Sequence, residues 1–226
     1  MTPRGVFVAG ATGYLGRAAI PRLLARGHGV RVLVRPGSEA RVPPGAEAVP
    51  GEALVRESFE RYVAPADTFL QLVGVAHPSP SKAELFRSVD LASATASAEA
   101  ARAAGVVHFV YVSVAHPAPA MRPYWEARAE AEAFIAARGL NATILRPWYV
   151  LGPGHRWPYL LAPGYWLAER LPGTRVAARR LGLVTLSQMA DAIVRAVETP
   201  VSGIRIVEVP EIRDAPRARA LTGARG

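Results

Sequence analysis

The chain has 226 residues, half of them hydrophobic, a net charge of +9 and no cysteine. That length makes one domain with a sizeable core rather than two full domains, and the missing cysteines exclude disulfides, thiol catalysis and cysteine metal centres. The positive charge sits on arginines spread along the chain, with Lys82 the single lysine; such dispersed charge is not the clustered stripe that grips nucleic acid, and no apolar run reaches the roughly 20 residues needed to span a bilayer.

The N-terminus enters a strand at once, without a leader-like segment, so a cytoplasmic location is expected. That strand is the apolar run Val6-Phe7-Val8-Ala9, and it feeds directly into Gly10-Ala11-Thr12-Gly13-Tyr14-Leu15-Gly16. The pattern predicts strand, glycine turn and helix. Gly10 allows a sharp exit, Gly13 lets a phosphate approach bare backbone, and Gly16 lets the helix pack closely on the sheet. A pyrophosphate would then lie on the helix N-terminus, with Thr12, Tyr14 and Leu15 around it. A tight connection without a ligand uses the same glycines, and the context decides between the two. The helix carries Leu15, Ala19, Leu23 and Leu24 at helical spacing and stops at Gly27-His28-Gly29, before the strand Val30-Arg31-Val32-Leu33-Val34. This is a complete first βαβ unit of a dinucleotide site. The second strand ends at Arg35, where a carboxylate would hold the ribose hydroxyls of NAD and an arginine would receive the 2′-phosphate of NADP. NADP is therefore the expected cofactor, with NAD the alternative. Beyond Pro36, Arg41 is the other cation that could assist.

Strand and helix signals then alternate: a short strand over 46–49, a helix over 52–62, a strand over 68–73, a long alanine-rich helix over 82–104 and an apolar strand over 106–112. A helix over 124–137 and a strand over 142–145 follow, then a helix over 186–197 with Ser187 as its cap and a last strand over 204–209. Alternation of this kind predicts an α/β fold, a doubly wound parallel sheet. One domain over 1–210 is expected. Within it, 147–184 is rich in proline, glycine and aromatics and reads as a small loop-rich lobe, while 211–226 reads as a flexible basic tail.

Three histidines, His77, His116 and His155, each follow a strand end. Ligands bind along that edge of a doubly wound sheet, so the three could line one pocket and add acid/base or polar contacts, His116 first among them. No helical His-x-x-x-His and no acidic cluster accompanies them, so no metal site is expected. In the lobe, Trp148, Tyr149, Trp157, Tyr159, Tyr165 and Trp166 suit a flat or apolar substrate, although Trp148 and Tyr149 leave their strand together and equally suit packing on the sheet. Trp157 and Trp166 beside Arg156 and Arg170 also fit peripheral contact with a membrane.

In order and spacing, the glycine turn, Tyr111-Val112-Ser113, Tyr124-x-x-x-Arg128 and Leu145-Arg146-Pro147 running on to Leu151-Gly152-Pro153-Gly154 resemble the short-chain dehydrogenase/reductase superfamily. The likeness is to its extended and atypical branches, which include sugar-nucleotide epimerase-like and NmrA-like proteins, and it covers 6–209. The resemblance implies a Rossmann fold and a Ser-Tyr-Lys site, in which tyrosine moves the proton and serine binds the reacting oxygen. Ser113 and Tyr124 match that pattern. Arg128 stands at the lysine position and supplies the charge that a tyrosine base needs, with a planar fork in place of an ammonium. Val73 and Pro147, at strand ends, join the cofactor-binding set, and Asp90 falls where the family often has asparagine. The implied activity is an NADP-dependent oxidoreductase acting on a small carbonyl, quinone or related molecule. A non-catalytic NAD(P)-binding sensor or assembly scaffold of the NmrA-like kind, and a sugar-nucleotide epimerase or dehydratase, are the alternatives. Homo-oligomerisation stays open.

Overall fold

In the computed structural model, which describes residues 2–153, 170, 171, 173 and 175–214, the strands are β1 (Gly5–Ala9), β2 (Gly29–Val34), β3 (Glu47–Pro50), β4 (Thr68–Gln71), β5 (His108–Val112), β6 (Ala142–Arg146), β7 (Tyr149–Leu151), β8 (Leu183–Thr185) and β9 (Ile204–Glu208). Seven of them form one sheet in the order β3-β2-β1-β4-β5-β6-β9, and every pair in it is parallel. The chain reverses direction across the sheet between β1 and β4, which opens a crevice at their carboxyl ends.

Both faces are buried because successive side chains of a strand point to opposite sides. Val6 and Val8 of β1 and Val110 and Val112 of β5 face a core shared with the helices α1 (Tyr14–Ala25) and, farther along the chain, Leu186–Glu198. Phe7, Phe69, Phe109 and Tyr111 face the other core, against the helices Ala92–Ala103 and Arg122–Ala137. Phe69 stacks on Phe109 and tilts on Phe7, with centroids 5.4 and 5.2 Å apart.

Some elements depart from the expectation. The stretch 52–62 is two 3-10 turns, Arg56–Ser58 and Glu60–Tyr62. Ser58 Oγ donates to the carbonyls of Val55 and Glu52 at 2.6 and 3.2 Å, a local bond that competes with a regular helix. The long helix expected over 82–104 is divided into α2 (Ala83–Leu85), a π segment (Phe86–Leu91) and α3 (Ala92–Ala103). α4 (Arg122–Ala137) begins two residues early, with Pro123 in its first turn, where the missing N–H costs nothing. The lobe holds regular structure where loops were expected: β7 pairs with β8 in a parallel ribbon, and α5 (Arg175–Arg180) lies between them in sequence. α6 (Leu186–Glu198) is capped by Thr185 rather than Ser187, in a capping box with Gln188. Arg22 of α1 holds Asp191 of α6 at 2.7 Å and uses Ser187 as a partner instead. After β9 the chain continues as α7 (Val209–Arg213), which takes in the first residues of the expected basic tail. His155, Arg156, Trp157, Tyr159, Tyr165, Trp166 and the tail from 215 lie outside the described residues.

Candidate active site

Two sets of residues meet the carboxyl edge of the sheet. The first is the glycine turn. Gly10 has φ +89°, and a Cβ there would stand 2.7 Å from the backbone of Leu72 and Val73 after β4; a Cβ on Gly16 would stand 2.3 Å from the Ala11 carbonyl. Both positions therefore require glycine, and the turn is clamped against the strand next to it in the crevice. Gly13 differs: it is exposed, its φ is −76°, and a Cβ would meet only the Gly10 carbonyl, at 3.2 Å. Space, not strain, is what glycine leaves here. Gly13 is also the N-cap of α1; no side chain caps that end, and no acid occupies its first turn. An open glycine at an uncapped helix N-terminus fits a pyrophosphate. Around it, Thr12 is half-buried, Leu15 packs on the core, and the Tyr14 hydroxyl lies against Gly152, where a Cβ would stand 2.3 Å away.

Arg35 leaves β2 exposed; its carbonyl accepts the Ser38 N–H at 2.9 Å, and its guanidinium has no hydrogen bond or ion pair among the described residues. Arg41 is exposed in a 3-10 turn nearby. Val73, half-buried, donates its N–H to Gln71 Oε1 at 3.2 Å. Pro147 is buried and accepts the Ala115 N–H at 2.8 Å, while Leu145 accepts the Ser113 N–H at 2.8 Å. These two bonds zip the loop after β5 to the end of β6 and fix where Ser113 and His116 stand.

The second set is polar and largely buried. Tyr124, Arg128 and Glu132 recur every four residues on α4 and so share one of its faces. Glu132, 7% exposed, is the hub. Its Oε1 accepts the Ser113 hydroxyl at 2.5 Å and the Arg146 Nε–H at 3.1 Å, His116 Nε2 lies 3.2 Å away, and Arg146 Nη2 pairs with Oε2. Trp125 lies flat on His116, the rings 6.1 Å apart at 13°.

One turn back, Arg128 is committed elsewhere. Its Nη1 donates to the Val112 carbonyl at 2.6 Å and its Nη2 lies 2.5 Å from Asp90 Oδ1, while Asp90 Oδ2 accepts the Val75 N–H at 3.0 Å. The guanidinium sits 5.4 Å from the Tyr124 ring and 5.8 Å from the Tyr111 ring. With both ends of its fork occupied, Arg128 offers charge beside Tyr124 rather than a grip on a ribose. The pair even dictates Gly74, whose Cβ would fall 2.1 Å from Arg128 Nη2.

Burial works against charge on Arg128, but Tyr111, Tyr124 and Asp90 outweigh it and raise its pKa. Burial pushes Tyr111 up to about 12. Tyr124 is raised too, by burial first and by Asp90, against the lowering by Arg128. A phenol in this setting keeps its proton near neutrality, so it is a poor base and can act only as a donor.

The structure thus brings Ser113, His116, Tyr124 and Arg128 to one end of β5 and α4. His77 lies exposed on the loop after β4, at φ 49°, and Lys82 Nζ donates to its carbonyl at 3.0 Å and to that of Ala76 at 2.6 Å. Among the described residues no group of histidine, aspartate and glutamate is placed to hold a metal ion. Sequence reasoning passed over Glu132 and Arg146. The signal for Glu132 was present as the next step of the Tyr124, Arg128 spacing. Arg146 stood inside a quoted motif, but only the fold shows that it meets Glu132.

Comparison with known proteins places the chain in a family. A family model described as NAD(P)H-binding matches residues 10–200. Among curated proteins, the chain is 31% identical over 215 residues to the ceramide reductase of Caulobacter vibrioides, covering 93% of this chain and 66% of that protein. It is 31% identical over 245 residues to a 3-diazoavenalumate denitrifying reductase of Streptomyces, covering 96% and 79% of the two chains. A 4-hydroxy-2-methyl-3-oxo-4-farnesyl-3,4-dihydroquinoline-1-oxide ketoreductase of Stigmatella aurantiaca is 30% identical over 169 residues, of which it shares 65% of this chain and 50% of its own. The chain thus spans just under two thirds of the first relative and half of the third. Among solved structures, WbmH of Bordetella bronchiseptica with NAD+ superposes with TM-score 0.67 at 18% identity, over 91% of this chain and 75% of that one. The UDP-glucose 4-epimerase of Thermus thermophilus with NAD gives 0.64 at 23%, over 92% and 80%. At these identities the structural matches speak for the fold.

Proposed function

The chain belongs to the NAD(P)H-binding family, and from that premise we propose that it is an NADPH-dependent reductase of the extended short-chain dehydrogenase/reductase kind, acting on a carbonyl of a small, apolar or aromatic molecule. The observation that carries the reading is one juxtaposition: the open Gly13 and uncapped α1 on one side of the strand-order reversal, and the Ser113, His116 and Tyr124 cluster at the end of β5, two strands away. The turn would hold the pyrophosphate, and Arg35 the 2′-phosphate, because it is an exposed cation at the end of β2 with no acid beside it. When bound, the dinucleotide supplies hydride; the chain's own residues bind, orient and deliver the proton. Three relatives named as reductases support the direction of the reaction, and the farnesyl quinoline in one of their names accords with the aromatic composition of 147–184.

Calorimetric titration with NADPH and NADH, followed by single-turnover oxidation of bound NADPH across a carbonyl and quinone panel, tests the reading. Tighter NADPH binding and consumption by at least one carbonyl are expected. Binding without consumption would favour a nucleotide-sensing scaffold, a reading that the commitment of Arg128 to Asp90 also fits. Binding of neither nucleotide would remove both.

A further inference from the structure

The reductase reading leaves a buried carboxylate unused, although a hydroxyl, an imidazole and a guanidinium converge on it. A carboxylate only accepts hydrogen bonds, so each partner of Glu132 must present a proton to it. The Ser113 hydroxyl has one proton, and at 2.5 Å it is spent on Glu132. Ser113 therefore faces a substrate with lone pairs alone. His116, 3.2 Å from the same oxygen, must carry its proton on Nε2, which leaves Nδ1 as the available nitrogen. The ring is held at its edge by Glu132 and on its face by Trp125, and its side chain is 15% exposed. Tyr124 is less well served. Its ring packs on Phe86, 5.0 Å away, and the Arg128 guanidinium beside it is shared with Asp90. Burial outweighs the help of Arg128, so a phenolate left there after donation stays disfavoured.

We propose that His116, positioned by Glu132, hands the proton to the substrate oxygen during reduction, with Ser113 an acceptor rather than a donor. The assignment rests on the reductase reading. As hydride arrives at the carbonyl carbon, the C=O π pair moves to oxygen, the Nδ1–H bond of the imidazolium breaks and an O–H bond forms. A neutral imidazole remains, still donating Nε2–H to Glu132. The groups facing His116 are Ser113, just after β5, and Glu132 and Trp125 of α4, with Arg146 of β6 sharing the carboxylate and Glu208 of β9 standing 3.9 Å from Arg146.

Two measurements decide it. NMR of isotope-labelled imidazole nitrogens, with the His116 signals identified by their loss in His116→Gln, is expected to show the neutral ring as the Nε2–H tautomer. Glu132→Gln is expected to release that lock into a mixture; should that variant not fold, the wild-type tautomer stands by itself, and an Nδ1–H ring overturns the proposal. The second measurement is NADPH-driven reduction of phenanthrenequinone. His116→Gln should lower kcat about 100-fold or more while NADPH affinity stays within about twofold, and Tyr124→Phe should cost less than about tenfold. An inactive Tyr124→Phe beside a His116→Gln that keeps its activity overturns the assignment. If the wild type binds NADPH and reduces neither the quinone nor any carbonyl of the panel, the reductase reading itself fails, and the catalytic role of His116 with it, whatever the tautomer.

Discussion

His108 sets a pH limit on this fold that can be worked out from its surroundings. It opens β5 at the centre of the sheet, is fully buried, and meets Thr143 Oγ1 with Nε2 at 3.0 Å, while its Nδ1 has no partner. Protonation would place a buried N–H with no acceptor, near the charge of Arg4. Burial first and Arg4 second lower its pKa from 6.5 to about 4. The sign follows: above 6.5 the ring is neutral folded or unfolded, and stability is at its full value. As pH falls from 6.5 towards 4 the unfolded chain takes up a proton that the native state refuses. Stability is therefore lost through that window, at up to about 1.4 kcal/mol per pH unit and about 3 kcal/mol in all, and the loss levels off below it. Urea unfolding of the wild type and of His108→Gln, from about pH 7.5 to about pH 4.5, checks this. Other groups titrate alike in both proteins, so the difference between the curves is the readout; it should shrink in favour of the variant by about 2.5 kcal/mol at the acid end. Parallel curves would refute the reasoning.

Gly13→Val is expected to weaken NADPH binding more than about tenfold with Tm nearly unchanged, because the position is open and its φ is ordinary, whereas Gly16→Val, aimed at the Ala11 carbonyl, should lower Tm; calorimetry and a thermal melt separate the two. Arg35→Ala should cost about 1.4 kcal/mol, or tenfold, in NADPH affinity and leave NADH unaffected, and equal losses for the two nucleotides would remove its 2′-phosphate role. Asp90→Asn strands the buried Arg128 charge and is expected to destabilise by about 3–5 kcal/mol in urea. Where the variant stays folded, Tyr124 should ionise at lower pH by ultraviolet titration, since the opposing carboxylate is gone; an unchanged titration would mean that Asp90 does not offset Arg128.

The sheet was legible because its evidence is local. β1 and, after His108, β5 are apolar runs, and β4 carries Phe69 and Leu70 at its centre, as suits strands buried on both faces, while the glycine turn needs only seven consecutive residues. What escaped depends on contacts distant in sequence. Thr185 and Ser187 are both competent caps, and Arg22, more than 160 residues earlier, takes Ser187 as a partner. The π segment carries ordinary helix formers, so periodicity alone draws one helix through it. Ser113, Tyr124 and Arg128 were singled out from a motif. The partners that the structure gives them were not, because Asp90, Glu132 and Arg146 come from three separate elements and join only when the sheet forms.

The π segment explains how a chain with arginine at the lysine position keeps a folded site. A wide turn inside a helix inserts a residue and redirects the side chains after it. Here it places both Phe86 and Asp90 in the interior, the first against the Tyr124 ring and the second against the Arg128 fork. A buried guanidinium needs a carboxylate, and a buried carboxylate needs further donors, which Asp90 finds in the Val75 N–H on the loop where Gly74 leaves room for the fork. Arg128, Asp90 and Gly74 are thus one structural unit. Replacing Arg128 by lysine alone would leave a shorter, single-point donor that cannot reach Asp90 and Val112 O with the same fork, so that variant should lose stability rather than gain activity. The proton delivery proposed for His116 accordingly lies one turn along α4, beside the carboxylate that also holds Ser113.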